Sequence, residues 1–218
     1  MNATKERWIT LCKRIGVDDN PNNQLTVWRD WDELRIAYTG SDRHYHNLGH
    51  ISDGLKELDE IRHLTKNPDT LEFAWWWHDF IYKTTQNHNN EGDSSIHAVK
   101  SLSQLLSCNH SLTASLIPKV IRFILATKHD CVPQSADSRL MIDIDLSSLG
   151  TLPAIFNINT ANIRKEYSHV SDDDFAKGRI EFFKKFLESR PSIYLTEYFK
   201  NKYEAQAQEN LGRLLTTR

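Results

Sequence analysis

The sequence predicts an all-α protein, and three observations carry that reading. Apolar residues recur at steps of three and four along nearly the whole chain, the spacing of one helix face. Runs of β-branched residues alternating apolar with polar, the mark of half-buried strands, are absent. The breaks between apolar patterns carry helix start and stop residues, as in Asn67-Pro68-Asp69-Thr70, Ser171-Asp172-Asp173-Asp174 and Arg190-Pro191. No repeat, low-complexity tract or linker divides the 218 residues. One domain over residues 1–218 is expected, with enough chain to bury a sizeable core.

Taken in order, Trp8, Leu11, Cys12 and Ile15 form a first helical stripe, stopped by Gly16. Pro21 opens a second helix, with Val27 or Trp28, Trp31, Leu34 and Tyr38 facing inward and the turn cluster Thr39-Gly40-Ser41-Asp42 ending it. A third helix is expected from about Tyr45 to His63, with Leu48, Ile51, Leu55, Leu58 and Ile61 as its core face. The Asn67–Thr70 break starts a helix through Leu71, Ala74, Trp75, His78 and Tyr82, apolar nearly all round. Lys83 to Asp93 reads as a polar loop hanging over whatever His78 and Asp79 do. Ile96, Val99, Leu102 and Leu106 make the next stripe. Pro118 predicts that the following helix starts near it, after a short turn or kink. Val120, Ile124, Thr127 and His129 then share a face, and Ser135 to Ser138 begins another helix. Phe156 to His169 is helical without strong caps. Ser171 opens a helix that packs Phe175, Phe182, Phe183, Phe186 and Leu187 inward. Tyr198, Tyr203, Ala207, Leu211 and Leu215 mark the last helix.

Lys plus Arg is 27 and Asp plus Glu is 29, a net charge of −2, which offers no electrostatic basis for general nucleic-acid binding. The odd, scattered set Cys12, Cys108 and Cys131 fits neither a disulfide framework nor a zinc finger and favours a reducing compartment. The first residues lack a signal-peptide core, and no apolar run reaches the roughly 18–20 residues of a membrane span. A cytoplasmic protein is expected.

Three segments place polar chemistry among apolar residues. Trp75-Trp76-Trp77-His78-Asp79-Phe80 buries a histidine and an aspartate in one of the most apolar runs of the chain. A carboxylate there needs a hydrogen-bonding partner, a cation or a metal, so structural pairing with backbone and an arginine competes with metal binding. In Tyr45-His46-Asn47-Leu48-Gly49-His50-Ile51, the two histidines are four apart and, on a helix, share a face, with Gly54 leaving room for close approach one turn on. In Met141-Ile142-Asp143-Ile144-Asp145-Leu146-Ser147, helical phase puts Asp145 beside Ile142 and Leu149 and turns Asp143 away, to solvent or a cap.

The ordered series His, His-Asp, Asp resembles the signature of the HD-domain superfamily of metal-dependent phosphohydrolases. Tyr45-His46-Asn47-x-x-His50 and Asp145-Leu146-Ser147 are similar to motifs of cyclic-nucleotide phosphodiesterases, distant members of that superfamily. The wording is closer still to a group of small bacterial HD proteins, through Tyr45 to Ile51, His78 to Tyr82, Asn90 to Ser94, Asp145 to Ser147 and Gly178-Arg179. The resemblance spans most of the chain and implies a single-domain HD-type helical bundle.

It further implies that His50, His78, Asp79 and Asp145 hold a divalent ion. Two imidazoles with two carboxylates suit Mn, Fe, Ni, Co or Zn, with Mg possible at a partner position. Asp79 would bridge the ions where two are bound. His46 corresponds to the proton donor for the leaving oxygen. Arg43, Lys128, His129 and Glu91 are candidates for contacting substrate, phosphate or a metal-bound water. Arg43 has surface pairing with Glu33 or Asp42 as its structural alternative, and Glu91 has helix capping. His44, His63, His88, His97, His110 and His169 are expected to be surface or structural, and the six tryptophans to be core. The expected activity is hydrolysis of a phosphate ester of a small molecule, a nucleotide or related compound, by metal-activated water. An HD-fold di-iron oxygenase, with His129 as an extra ligand, and a non-enzymatic metal- or nucleotide-binding module are the alternatives.

Overall fold

The computed structural model describes residues 2–85 and 88–216. Its described residues form ten α-helices, and the Trp-rich helix α4 (Pro68–Trp77) packs against five of the others. Those are α1 (Lys5–Arg14), α3 (Leu48–Ile61), α5 (Asn90–Leu105), α6 (His110–Ala126) and α7 (Ala136–Asp145). Helix α2 (Pro21–Tyr38) packs on α1 and α5. A 3-10 turn over Leu146–Gly150 follows α7 and carries α8 (Pro153–Glu166) and α10 (Glu197–Thr216), with α9 (Asp172–Glu188) against α10. No helix among the described residues is long and apolar enough to cross a membrane.

Every residue of α4 from Thr70 onward is buried. Trp8 packs edge-on against Trp76 and Trp77, and Trp31 against Trp76. The Trp8 indole N–H donates to the Val27 carbonyl at 3.0 Å, and the Tyr38 hydroxyl donates to the Trp76 carbonyl at 3.0 Å. These bonds tie α1, α2 and α4 by polar atoms that would otherwise be stranded in the core. Trp28 is the exception among the tryptophans, being exposed. Glu72, fully buried in α4, accepts from Arg7, Arg14 and Arg62 at 2.8, 2.6 and 2.9 Å, so its charge is compensated three times over.

Five expectations need correction. The helix carrying His78 ends at Trp77 and does not reach Tyr82, and His46 lies in a turn before α3 rather than one turn below His50 on it. Helix α6 runs through Pro118 without a start there. Both Pro118 and Ala114, whose carbonyl loses its usual N–H partner, are exposed, so the missing bond is not one stranded in the core. On α5 the buried face is Ser94, Ser95, Ala98, Ser101, Leu102 and Leu105, while Ile96 is exposed; small residues let α5 lie close to its neighbours. Phe182 is likewise exposed, although Phe183 and Phe186 face inward.

Candidate metal centre

Three helix ends meet at one point. His50 stands in the first turn of α3, below an Asn47 cap whose side chain accepts from Gly49 N–H at 2.7 Å. His78 and Asp79 follow the last residue of α4, and Asp145 is the last residue of α7. One donor atom from each of the four lies within 4.8 Å of all the others, so the group could hold a metal ion. His50 Nε2 is 3.2 Å from His78 Nε2, 3.3 Å from Asp145 Oδ1 and 3.6 Å from Asp79 Oδ2. His78 Nε2 is 3.1 Å from Asp79 Oδ2 and 3.6 Å from Asp145 Oδ1. Two of the three helices present their C-termini, the negative ends of their dipoles, which favours a cation.

The donor chemistry fits a divalent ion. The Trp75 carbonyl accepts from His78 Nδ1 at 2.8 Å, which leaves Nε2 facing the cluster. The Trp75 indole stacks on the same ring at 4.2 Å and fixes its plane. Burial opposes a charge on His78, but Asp79 and Asp145 outweigh it and raise the imidazole pKa to about 10. Burial likewise works against charge on the two carboxylates, yet the surrounding histidines hold both below the usual carboxylate range. Such an arrangement of lone pairs and negative charge calls for a cation, a proton or a metal.

Around the cluster, His129 is the one non-glycine residue with positive φ among the described residues, at 58°. That turn aims its Nε2 at Asp145 Oδ2, 2.8 Å away, while Oδ1 faces His50 and His78. His129 therefore orients the carboxylate by its second oxygen.

Arg43, expected on sequence to clamp phosphate, is engaged otherwise. Its guanidinium donates to the carbonyls of His46, Asp79 and Phe80 at 3.2, 2.8 and 2.9 Å. It caps the chain beyond α4 and so sets the turn that presents Asp79. Lys128 is exposed, and among the described residues neither it nor Glu91 bonds to the four-residue group. Glu91 stands in the first turn of α5, whose cap is Asn89. Its motif neighbours act structurally: Asn90 exchanges hydrogen bonds with Lys83, and Ser94 with Ile81, so both staple the segment that follows Asp79. The centre of the Lys83–Asp93 loop, at Gln86 and Asn87, lies outside the described residues.

His46 sits beside the cluster, with its ring 5.8 Å from that of His50 and stacked on Tyr82 at 3.9 Å. Its partner is Glu166, at the end of α8, which composition alone does not reveal. One Glu166 oxygen accepts from the backbone N–H groups of Tyr45 and His46 at 2.7 and 2.9 Å, and the other lies 2.7 Å from His46 Nδ1. Burial disfavours the charge on Glu166, but His46 and these N–H groups together hold its pKa below the ordinary value. In Ile163-Arg164-Lys165-Glu166 this residue reads as a solvated helix charge; only the approach of a segment 120 residues earlier buries it.

Asp143 is not solvated, as helical phase allowed, but fully buried. It accepts from Leu195 N–H, Thr196 N–H and the Thr196 hydroxyl at 2.8, 2.8 and 2.6 Å and anchors the start of α10. Burial raises its pKa to about 6 against these bonds. Asp143→Asn is expected to cost about 1–3 kcal/mol of stability through an N–H left unpaired, with metal content unchanged. Asp145→Asn should instead lower metal content. Thermal melts and elemental analysis of both variants check the pair, and metal loss confined to Asp143→Asn would reverse the assignment. Comparison of the chain with protein-family models, curated proteins and solved structures finds no match.

Proposed function

We propose that this protein is a metal-dependent phosphohydrolase of the HD type, cleaving a phosphate ester of a small molecule such as a nucleotide. The convergence of His50, His78, Asp79 and Asp145 from three helix ends carries the reading, in the same order along the chain as the HD series. A divalent ion held there would polarise the phosphate and supply hydroxide near neutral pH by lowering the pKa of bound water. The chain's own residues do the positioning. The Trp75 carbonyl holds a proton on His78 Nδ1 and so aims Nε2 at the cluster, His129 turns Asp145, and Arg43 holds the Asp79 turn.

His46 moves the proton. With Nδ1 bonded to Glu166, its Nε2 is the nitrogen left to carry a proton to the departing ester oxygen, and the Glu166 carboxylate balances the charge while the ring carries two protons. His46→Ala should keep metal and fold but slow hydrolysis by roughly 10²–10⁴ on esters with poor leaving groups. A 4-nitrophenyl ester, whose leaving group needs no proton, should suffer far less. Equal losses on both substrates argue against proton transfer by His46.

The direct test is hydrolysis of a nucleotide and phosphate-ester panel by protein loaded in turn with Mn, Fe, Ni, Co, Zn or Mg, with chelator as control. No turnover with any ion sinks the reading. The nearness of His129 to Asp145 favours one second reading, a di-iron oxygenase with His129 as an added ligand. Two irons per chain and substrate-dependent oxygen uptake would select it.

A further inference from the structure

Beside the cluster, a cavity of about 440 Å³ has His46, Tyr82 and Thr84 on one side and α8–α9 residues, Arg179 among them, on the other. That volume suits a small organic ligand. Its walls include the rings of Tyr82, Tyr167, Phe175 and Phe182, so the exposed Phe182 ring belongs to the cavity, and its one lining carboxylate among the described residues, Asp174, accepts from the Ser171 hydroxyl at 2.7 Å.

Two arginines keep buried nitrogens without a hydrogen-bond partner, Arg179 and Arg190; Arg190 donates to the His129 carbonyl at 3.1 Å, and of the two it is Arg179 that lines this cavity. Arg7, Arg14, Arg62 and Arg164 each have carboxylate partners, and Arg43 has three carbonyls. Arg179 has no carboxylate partner among the described residues, and its Nε is fully buried without a hydrogen-bond partner. One face of the guanidinium lies over Phe183, 4.7 Å from the ring centre. Burial lowers its pKa from the ordinary arginine value, and the nearby phenols of Tyr167, Tyr82 and Tyr45 only partly oppose that shift. A half-buried guanidinium whose Nε is left without a partner is costly to keep, and a ligand anion would compensate it. Tyr82 stacks on His46, and the Tyr45 ring lies 5.2 Å from His50, so the groups that face Arg179 also touch the histidines of the site.

We propose that Arg179 is the anion-recognition residue of this cavity, and that its ligand is a phosphate ester bearing an aromatic or apolar organic group. The substrate class rests on the hydrolase reading above; the anion site does not need it. The planar guanidinium offers paired N–H donors to phosphate oxygens, which lysine cannot reproduce as a fork. The aromatic walls take the organic part, distinguishing the ester from free phosphate.

Calorimetric titration of chelator-treated full-length protein with phenyl phosphate, inorganic phosphate and benzoate tests this without metal or turnover. Phenyl phosphate should bind most tightly. Arg179→Met should weaken it on the order of 10–100-fold, the worth of a charged hydrogen-bonded contact, with Arg179→Lys between the two. Arg179→Met should melt at the same temperature as the unaltered protein or higher, because it removes a half-buried charge with no carboxylate partner among the described residues. Unchanged phenyl phosphate binding in Arg179→Met overturns the proposal, as does benzoate binding as tight as phenyl phosphate. A lowered melting temperature of Arg179→Met, with full binding in Arg179→Lys, makes the residue structural and also overturns it. Arg179-dependent binding in a protein that hydrolyses nothing would leave the anion site standing and remove the hydrolase reading. Hydrolysis with KM unchanged in Arg179→Met would do the reverse.

Discussion

The His78→Ala, Asp79→Ala double variant is expected to lose metal binding and, with it, the proposed phosphate-ester hydrolysis. Removing a group that merely orients a ligand costs roughly 10–100-fold in metal affinity, and here two of four converging donors disappear. The fold should survive, since His78 and Asp79 lie just beyond α4 and the apolar packing of Trp75, Trp76 and Trp77 is untouched. Elemental analysis of protein purified without chelator, beside a melting curve, reads both. Metal content equal to that of the unaltered protein would falsify the assignment.

The same cluster sets a pH dependence. Without metal, the His78 pKa is raised from 6.5 to about 10, so its protonated form stabilises the fold fully below about pH 6.5 and that contribution is lost as pH rises towards 10. The depressed Asp79 and Asp145 work the other way, contributing above their ordinary value of 3.8 and losing it as pH falls through their lowered values. Metal binding displaces the His78 proton, so metal affinity should rise with pH over the interval in which the metal-free protein weakens. Melting temperatures of chelated and metal-loaded protein from pH 6 to 9 should therefore diverge; parallel curves would show that no such proton is released.

Gly54→Ala is expected to damage both core and site, although alanine is the better helix former by about 1 kcal/mol. A methyl group at Gly54 would overlap the Cζ2 and Cε2 atoms of Trp75. That indole cannot easily move, because its N–H donates to the Ile51 carbonyl at 3.0 Å and its face stacks on His78. Overpacking of this kind costs typically about 1–3 kcal/mol, and any shift of Trp75 carries His78 Nε2 away from the cluster. Lower melting temperature with weaker metal binding is the expected pair of results. Gly212→Ala, in the interior of α10 with nothing near its added methyl, is the control and should be neutral or stabilising. Equal behaviour of the two variants would mean that Trp75 yields. The room left by Gly54 thus goes to the indole behind the histidine, and not to a ligand.

What the sequence by itself determined was the helical class and the four residues that converge. Apolar spacing depends on local geometry alone, so the stripes of α1, α3 and α4 and the helix starts at Pro21, Ser135 and Ser171 were legible residue by residue. Polar residues inside apolar runs marked His78 and Asp145 because burial without a partner is too costly to be accidental. The tertiary structure decided how those residues are held. The ends of α3 and α4 depend on Asn47 and on Arg43 reaching carbonyls 36 and 37 residues away, so the placement of His46 and the use of Arg43 could not be read from helical phase. Glu166 behind His46, Asp143 under α10 and the unpaired Arg179 each look like an ordinary surface charge in their own segments. Whether a charge on an amphipathic helix meets water, a backbone N–H or a cavity is settled by which distant segment packs over it, and local periodicity does not carry that information.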